Sequence, residues 1–164
     1  MYLAWARFWA RYIDLTLYAF LIAIAAGLLL PGIATWNAPV VGLALLPPAL
    51  LVDAIVIGVF GSSIGKFIAG VKVVGGSGAS PGVSTCIRRN ASIYLVFGCG
   101  VPIVALPLLI YELMDLRRSG STWWDRSAGT RVVSTGSTPI RTINTALVYV
   151  ALFVGITALS VSHP

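Results

Sequence analysis

The sequence has few residues that could carry out acid–base or metal chemistry. Its 164 residues include one histidine, His163, and two cysteines, Cys86 and Cys99, which show no CxxC or Cys/His spacing. A disulfide framework or a zinc site is therefore not expected. No nucleophile–base pair or cofactor-binding loop is recognisable either. The sequence predicts that the protein is not an enzyme and that it holds no cofactor and no metal.

Charged residues are also scarce, at 10% of the chain against 58% hydrophobic residues, and the mean hydropathy is +0.94. This composition excludes a soluble globular domain and predicts an integral membrane protein, whose main partner is the lipid bilayer. Eleven Lys and Arg against five Asp and Glu give a net charge of +6. We attribute this excess to basic loops on the cytoplasmic side, since nucleic-acid binding would need a soluble basic surface.

The stretch from Trp5 to Tyr18 places charged residues at the start of an apolar run. On a helix, Arg7, Arg11, Asp14 and Tyr18 fall within a wedge of roughly 60°. A carboxylate inside hydrocarbon is costly unless it is paired or lines a wet cavity. Arg11 is the expected partner of Asp14, because side chains three residues apart on a helix touch. The pattern predicts a membrane helix whose polar stripe faces protein and not lipid.

Three apolar segments have the length that a bilayer requires, at residues 12–30, 40–60 and 143–161. Pro47 and Pro48 should kink the second, whose only ionisable residue is Asp53. Asp53 lies at a depth similar to that of Asp14, so the two carboxylates could share one site, a pairing that the sequence permits without establishing. The third span contains Ala151 and Gly155. These two residues either allow another helix to approach closely or are ordinary small residues of a membrane helix.

The segment 23–25, Ala-Ile-Ala, resembles a signal-peptide cleavage site. The acidic Asp14 within the would-be apolar region, and an apolar run that continues to Leu30, argue against cleavage. We therefore expect the protein to be mature from residue 1.

Residues 61–74 superficially resemble a phosphate-binding loop. The Walker pattern requires a glycine five residues before the Gly-Lys pair and Ser or Thr after it. Phe60 and Phe67 occupy those positions, so the resemblance fails. The segment instead predicts a glycine-rich bend, a short interfacial helix and a short strand.

A six-residue pattern occurs twice, as Ala-Gly-Val-Lys-Val-Val at 69–74 and Ala-Gly-Thr-Arg-Val-Val at 128–133. A glycine followed by β-branched residues is typical of a helix end that leads into a strand. Two such strands would satisfy their backbone groups by pairing, which would place both on one side of the membrane. In this alignment Lys66 corresponds to Asp125. We therefore predict that Lys66, or one of Arg88 and Arg89, holds Asp125.

The apolar region from about residue 84 to 117 allows two arrangements. A straight span would put basic residues on both sides of the membrane, against the positive-inside rule. A break at 98–102, Gly-Cys-Gly-Val-Pro, gives a hairpin of helices at about 84–97 and 102–117 and places all the basic residues on the cytoplasmic side. The first arm would be roughly 21 Å long, too short to span the bilayer, so it would be re-entrant or oblique. We favour the hairpin, and the straight span is the alternative.

Three blocks together, at residues 7–14, 61–74 and 124–133, resemble the RDD family of small bacterial membrane proteins. The resemblance covers roughly residues 5–134, with the final span beyond it. The family is named for an arginine, matched best by Arg7 with Arg11 as a competing choice, and for two aspartates, matched by Asp14 and Asp125. The resemblance implies a membrane protein of bacteria, linked to transport, but it implies no particular substrate. We expect a multi-pass protein of the plasma membrane, and the distribution of basic residues predicts that its N-terminus is cytoplasmic.

The predicted fold is an all-α membrane protein forming a single domain over 1–164. It is a helical bundle of four to five helical elements, consisting of three spans and a broken or re-entrant hairpin, with two short cytoplasmic strands. One functional hypothesis is proton- or cation-coupled transport of a small ion or solute. The alternative is a non-transporting accessory or interaction subunit, in which the Arg/Asp cluster is a structural ion pair. A homo-oligomer or a larger membrane complex fits either hypothesis. The candidate ion-binding residues are Arg7, Arg11, Asp14, Asp53 and Asp125, supported by Lys66, Arg88 and Arg89.

Overall fold

The computed structural model describes residues 2–30, 32–33, 37–96 and 102–162. Within these residues the chain forms seven helices and a two-stranded sheet. In chain order the elements are α1 (Tyr2–Leu29), α2 (Ala38–Phe60), α3 (Ile64–Ala69), β1 (Val71–Gly75), α4 (Val83–Val96), α5 (Pro102–Ser119), α6 (Trp123–Ser127), β2 (Thr130–Ser134) and α7 (Pro139–Ser162).

Three helices are long and apolar enough to cross a membrane: α1, α2 from Val40, and α7 as far as Ala158. The three predicted spans are therefore confirmed, with two differences at their starts. Helix α1 begins ten residues before the predicted boundary, because its charged residues find partners on other elements and do not end the helix. Helix α7 begins at Pro139, where a proline suits the first helical position, and the Thr138 Oγ1 accepts the Arg141 N–H at 3.1 Å.

Helix α2 continues through Pro47 and Pro48 and ends at Phe60, with Gly61 as its C-cap. The Gly61 N–H donates to the Ile57 carbonyl at 2.7 Å, as in a left-handed C-cap. The bend at 61–63 leads into the six-residue α3 and then into β1, so the predicted order of bend, short helix and short strand is confirmed.

The two copies of the repeated pattern form the sheet. Strands β1 and β2 pair antiparallel, with Val73 opposite Val132, so the predicted pairing of the two copies is confirmed. Gly70 and Gly129 have φ values of 67° and 64°, a conformation that glycine adopts without steric cost. Each lets the chain turn from a short helix into its strand. The short helix α6 was not predicted, because five residues give too little periodicity to recognise.

The described residues between 83 and 119 form two helical segments, α4 and α5. The predicted break at 98–102 falls, except for Pro102, on residues 97–101, which lie outside the described residues, as do Cys99 and His163. The division into a hairpin and its re-entrant path therefore stay predictions.

Small side chains bring α3 against α1. Ala6 and Ala10 of α1 are fully buried with Ala69 and Val71. A Cβ on Gly65 would lie 2.2 Å from the Ala10 carbonyl oxygen, so a glycine is needed there. This close approach places the next residue, Lys66, between α1 and α2.

Helix α4 packs against α2 through a second apolar cluster. Ala54 and Ile57 of α2 contact the buried Cys86 of α4 and Val73 of β1. The cysteine is a free thiol. The two clusters hold α1, α2, α3 and α4 around the charged residues described next.

Candidate functional site

Lys66 lies at the centre of a buried ion-pair cluster. Its Nζ is 3.0 Å from the Asp14 Oδ2 and 3.2 Å from the Asp53 Oδ1, and it donates to the Ser63 Oγ at 2.9 Å. The side chains of Lys66, Asp14 and Asp53 are only 7%, 1% and 2% exposed. An ammonium has three donors, so Lys66 has none to spare. We call Asp14, Asp53 and Lys66 the lysine cluster.

The Asp14 carboxylate receives its remaining hydrogen bonds from the bend before α3 and from the first turn of α3. The Ser63 hydroxyl donates to Oδ2, and the Gly65 N–H donates to Oδ1 at 2.7 Å. The predicted ion pair between Arg11 and Asp14 is wrong. The close packing of α3 on α1 brings the Lys66 ammonium and these donors to the carboxylate, so α3 takes the place expected for Arg11.

Asp53 is the acid that Arg11 contacts. The Arg11 Nη2 lies 3.6 Å from the Asp53 Oδ2 and donates to the Asn90 Oδ1 at 3.2 Å. The Asn90 Nδ2 in turn donates to the Asp53 Oδ2 at 3.0 Å and to the Leu50 carbonyl at 2.8 Å. Asp14 and Asp53 are thus brought together around Lys66, and Asn90 links this cluster to α4.

A second buried ion pair joins α4 to α6. The Arg89 Nε donates to the Asp125 Oδ1 at 2.7 Å, and the Thr122 hydroxyl donates to the other oxygen at 2.8 Å. Of the three predicted partners, Arg89 is correct. Lys66 is wrong because it is held by Asp14 and Asp53, and Arg88 is wrong because its side chain is exposed and forms no ion pair within the described residues. Arg89 and Asp125 are called the arginine pair below.

Burial alone would raise the pKa of the Asp125 carboxyl. The Arg89 guanidinium, together with the hydrogen bonds from Arg89 and Thr122, outweighs that effect and lowers the pKa below its ordinary value. Asp125 is therefore an ionised acceptor.

Arg7 and Tyr18 complete the polar stripe of α1. The Arg7 Nη2 donates to the Val132 carbonyl at 2.9 Å, which fixes α1 to β2. Tyr18 is 5% exposed, and its hydroxyl has no partner among the described residues. The stripe faces protein, as predicted.

Sequence reasoning missed several polar residues that complete these clusters. Ser63 and Asn90 carry hydrogen bonds of the lysine cluster, and Thr122 holds Asp125. Glu112, buried on α5, accepts the Trp123 N–H at 3.0 Å. Two signals were available: Glu112 is the only glutamate in the chain, and Asn90 follows the basic pair in an otherwise apolar segment.

The described residues contain no group of three or more His, Cys, Asp or Glu side chains that could hold a metal ion. The acidic groups lie instead against lysine or arginine, or, for Glu112, against a backbone N–H. The chemistry available to these side chains is therefore ion pairing, hydrogen bonding and proton exchange.

Three apolar helices of membrane-spanning length, packed around buried ion pairs, define a multi-span membrane protein. The chain belongs to the RDD family: the model of that family matches residues 3–161. The match thus continues through α7, beyond the blocks on which the sequence resemblance depended. Comparison with curated proteins and with solved structures finds no match.

Proposed function

We propose that the protein is a transporter, or a subunit of one, that moves a small ion or solute across the bacterial plasma membrane with coupling to protons or cations. The observation that carries this proposal is the sharing of one ammonium by carboxylates on two membrane-spanning helices. Lys66 contacts Asp14 of α1 and Asp53 of α2 at 3.0 and 3.2 Å. Burying ionisable groups within membrane-spanning helices costs free energy, and such groups frequently mark ion or proton pathways.

Coupling would follow from the competition between Lys66 and an incoming cation or proton. When Asp14 or Asp53 takes up a proton, its attraction for the ammonium falls, and the balance of charge in the low-dielectric site changes. Lys66 is carried by α3, a helix of only six residues. Release of Lys66 from one carboxylate would therefore free α3 from one of the two spans. A ligand that favours one of these arrangements would shift the equilibrium between them.

Tyr18 supports a polar path beyond the cluster. It follows Asp14 by one helical turn, and its hydroxyl is buried without a partner among the described residues. Buried polar groups are nearly always hydrogen-bonded, so an unpaired hydroxyl calls for an explanation. A proton or solute that passes through this position would supply the missing hydrogen bond.

The second candidate is the non-transporting accessory subunit. It is favoured by the way in which the Asp14 oxygens are already engaged by Lys66, Ser63 and the Gly65 N–H. A carboxylate with this many donors can serve as a structural lock between α1 and α3. In that role the cluster would have no need to exchange protons or ions.

Flux measurements on Tyr18→Phe separate the two functions. The protein is reconstituted into liposomes that contain a pH-sensitive dye, and proton movement is followed after a NaCl or KCl gradient is imposed. Phenylalanine removes a hydroxyl that bonds to no described residue, so the stability should not fall. The transport proposal predicts a flux lowered by about a hundredfold or more, the size of effect expected for a positioned proton-transfer group. Tyr111→Phe, at an exposed position on α5, is the matched control.

Asp14→Asn provides the complementary test. Loss of flux in a protein that stays folded in the membrane supports transport. If wild-type liposomes show no flux under either gradient while a stoichiometric membrane partner copurifies, the accessory function replaces the proposal. If flux is present and both variants retain it, the polar stripe is not the pathway.

The proposed orientation places the N-terminus and the basic loops in the cytoplasm. Ser119, at the end of α5, is exposed, and a cysteine introduced there reports on the hairpin. With the native cysteines replaced (Cys86→Ala/Cys99→Ala), Ser119→Cys should resist a membrane-impermeant thiol reagent in intact cells and react after permeabilisation. Labelling from outside would support the straight span instead.

A further inference from the structure

A cavity of about 110 Å³ lies between the arginine side chains and α5. Arg7 and Arg11 of α1 and Arg89 of α4 line it on one side. Its remaining wall is largely apolar and includes Phe8, Leu113, Leu116, Trp124 and Val132. Lys66 also lines it, so the cavity borders the lysine cluster, but neither Asp14 nor Asp53 is among the lining residues.

The three arginines have donors that no described residue accepts. The Arg7 Nε and Nη1, the Arg11 Nη1 and the Arg89 Nη1 are buried without a hydrogen-bond partner. The Arg89 side chain is only 5% exposed. A buried charged donor left unpaired loses its hydrogen bonds to water without compensation. Four such nitrogens on three side chains that line one cavity indicate a place for a ligand that accepts hydrogen bonds.

The aspartate beside the cavity already accepts hydrogen bonds, and this indicates whether the ligand is an anion or a cation. Asp125 lines the cavity, but its oxygens accept from the Arg89 Nε at 2.7 Å, from the Thr122 hydroxyl at 2.8 Å and from the Thr130 hydroxyl at 3.4 Å. The site thus has four donor nitrogens unpaired among the described residues, whereas its aspartate already accepts three hydrogen bonds. Guanidinium groups match the geometry of oxyanions such as carboxylate and phosphate. The spare capacity therefore favours an oxyanion over a cation.

Two further features restrict the class of oxyanion. Glu112 lines the same cavity and forms no ion pair within the described part of the chain, so it would repel a second negative charge. The apolar wall suits a ligand that carries a hydrocarbon portion. We propose that this cavity binds a monoanionic oxyanion attached to an apolar body. A lipid phosphodiester and a free aliphatic carboxylate share this chemistry.

This site does not depend on the proposed transport function, because binding can be measured when nothing crosses the membrane. Purified protein in a neutral detergent is mixed either with sodium hexanoate or with phosphatidylglycerol. Binding is followed by the shift in thermal unfolding and by native mass spectrometry. Hexanol and inorganic phosphate are the controls, since each lacks one of the two required features. Stabilisation by hexanoate alone identifies a free carboxylate, stabilisation by phosphatidylglycerol alone identifies a lipid headgroup, and either result supports the shared chemistry.

Arg7→Lys/Arg11→Lys tests the role of the guanidinium groups while the positive charges are kept. Lysine removes the spare planar donors, so we expect binding to weaken by about tenfold or more, the value of one to two charge-assisted hydrogen bonds. Arg118→Lys, at an exposed position near the end of α5, is the matched control and should bind as the wild type does.

Leu116→Trp tests the cavity itself without altering a charged group. The larger side chain should fill the space and abolish binding in a protein that remains folded. The proposal is overturned if neither probe stabilises the wild type, or if binding survives both Leu116→Trp and Arg7→Lys/Arg11→Lys. A flux result on Tyr18→Phe, positive or negative, leaves these binding outcomes unchanged.

Discussion

The two buried ion-pair groups differ in whether their hydrogen-bonding capacity is used up. In the lysine cluster, Lys66 donates to three acceptors, and Asp14 receives bonds from Lys66, Ser63 and the Gly65 N–H. In the arginine pair, Asp125 is well bonded, but the Arg89 Nη1 has no partner among the described residues. The saturated group holds three elements together, whereas the spare donor of the unsaturated group belongs to a residue that lines a cavity. The same kinds of residue therefore have all their donors engaged in one place and offer a spare donor in the other.

The largest effect is expected from removing the cation of the saturated cluster. Lys66→Met leaves two buried carboxylates without their shared ammonium. Breaking a buried ion pair by removal of one partner typically costs about 3–5 kcal/mol. We expect a loss of this size in unfolding free energy in mixed micelles, or loss of folded protein from the membrane. Lys72→Met, a basic residue of the adjacent β1 that forms no ion pair within the described residues, should change stability far less.

The close packing that delivers Lys66 can be tested without touching a charge. Gly65→Ala would place a Cβ 2.2 Å from the Ala10 carbonyl oxygen, so α1 and α3 must separate. Overpacking of this kind costs about 1–3 kcal/mol. The Gly65→Ala variant should therefore unfold at a lower denaturant concentration than the wild type. Gly42→Ala is the control, because a Cβ there meets no atom within 4 Å; equal stability of the two variants would contradict the proposed contact.

The arginine pair should contribute a pH-dependent part of the stability. The folded-state pKa of Asp125 is lowered, so its contribution is fully present above the unfolded pKa of about 4. The contribution is lost as the pH falls through the lower folded pKa. Asp125→Asn should cost about 1–3 kcal/mol at neutral pH and should flatten the decline in stability below about pH 4. An unchanged acid profile would show that Asp125 is not held by Arg89.

The smallest effect is expected from the surface pair of Asp115 and Arg126. Their nitrogen and oxygen are 2.6 Å apart, but the side chains are 21% and 45% exposed. Exposed ion pairs contribute little, because water and salt screen the charges. The unfolding free energy of Asp115→Asn should equal that of the wild type within experimental error. A loss as large as that of Asp125→Asn would show that exposure does not distinguish the two kinds of ion pair.

The sequence predicted the helices and strands better than it predicted which charged side chains pair with each other. Hydropathy located the three spans, and the repeated pattern located both strands and their pairing, because these signals are local. The partner of Asp14 was misjudged because spacing along α1 favoured Arg11, whereas the actual ammonium comes from Lys66, 52 residues away in sequence. That contact depends on Gly65 and Ala10 packing closely between helices, which helical periodicity does not encode. The cavity beside Arg7 and Arg89 was not predicted for the same reason.

The most direct test of the account is a double-mutant cycle between Lys66 and Asp14. Unfolding free energies are measured for Lys66→Met, Asp14→Asn and the double variant, with Lys72→Met and Asp14→Asn as the control cycle. A contacting buried pair should give a coupling energy of about 1–3 kcal/mol, whereas distant sites add to within roughly 0.5 kcal/mol. We predict strong coupling in the first cycle and additivity in the control. Additive effects of Lys66→Met and Asp14→Asn would contradict the lysine cluster.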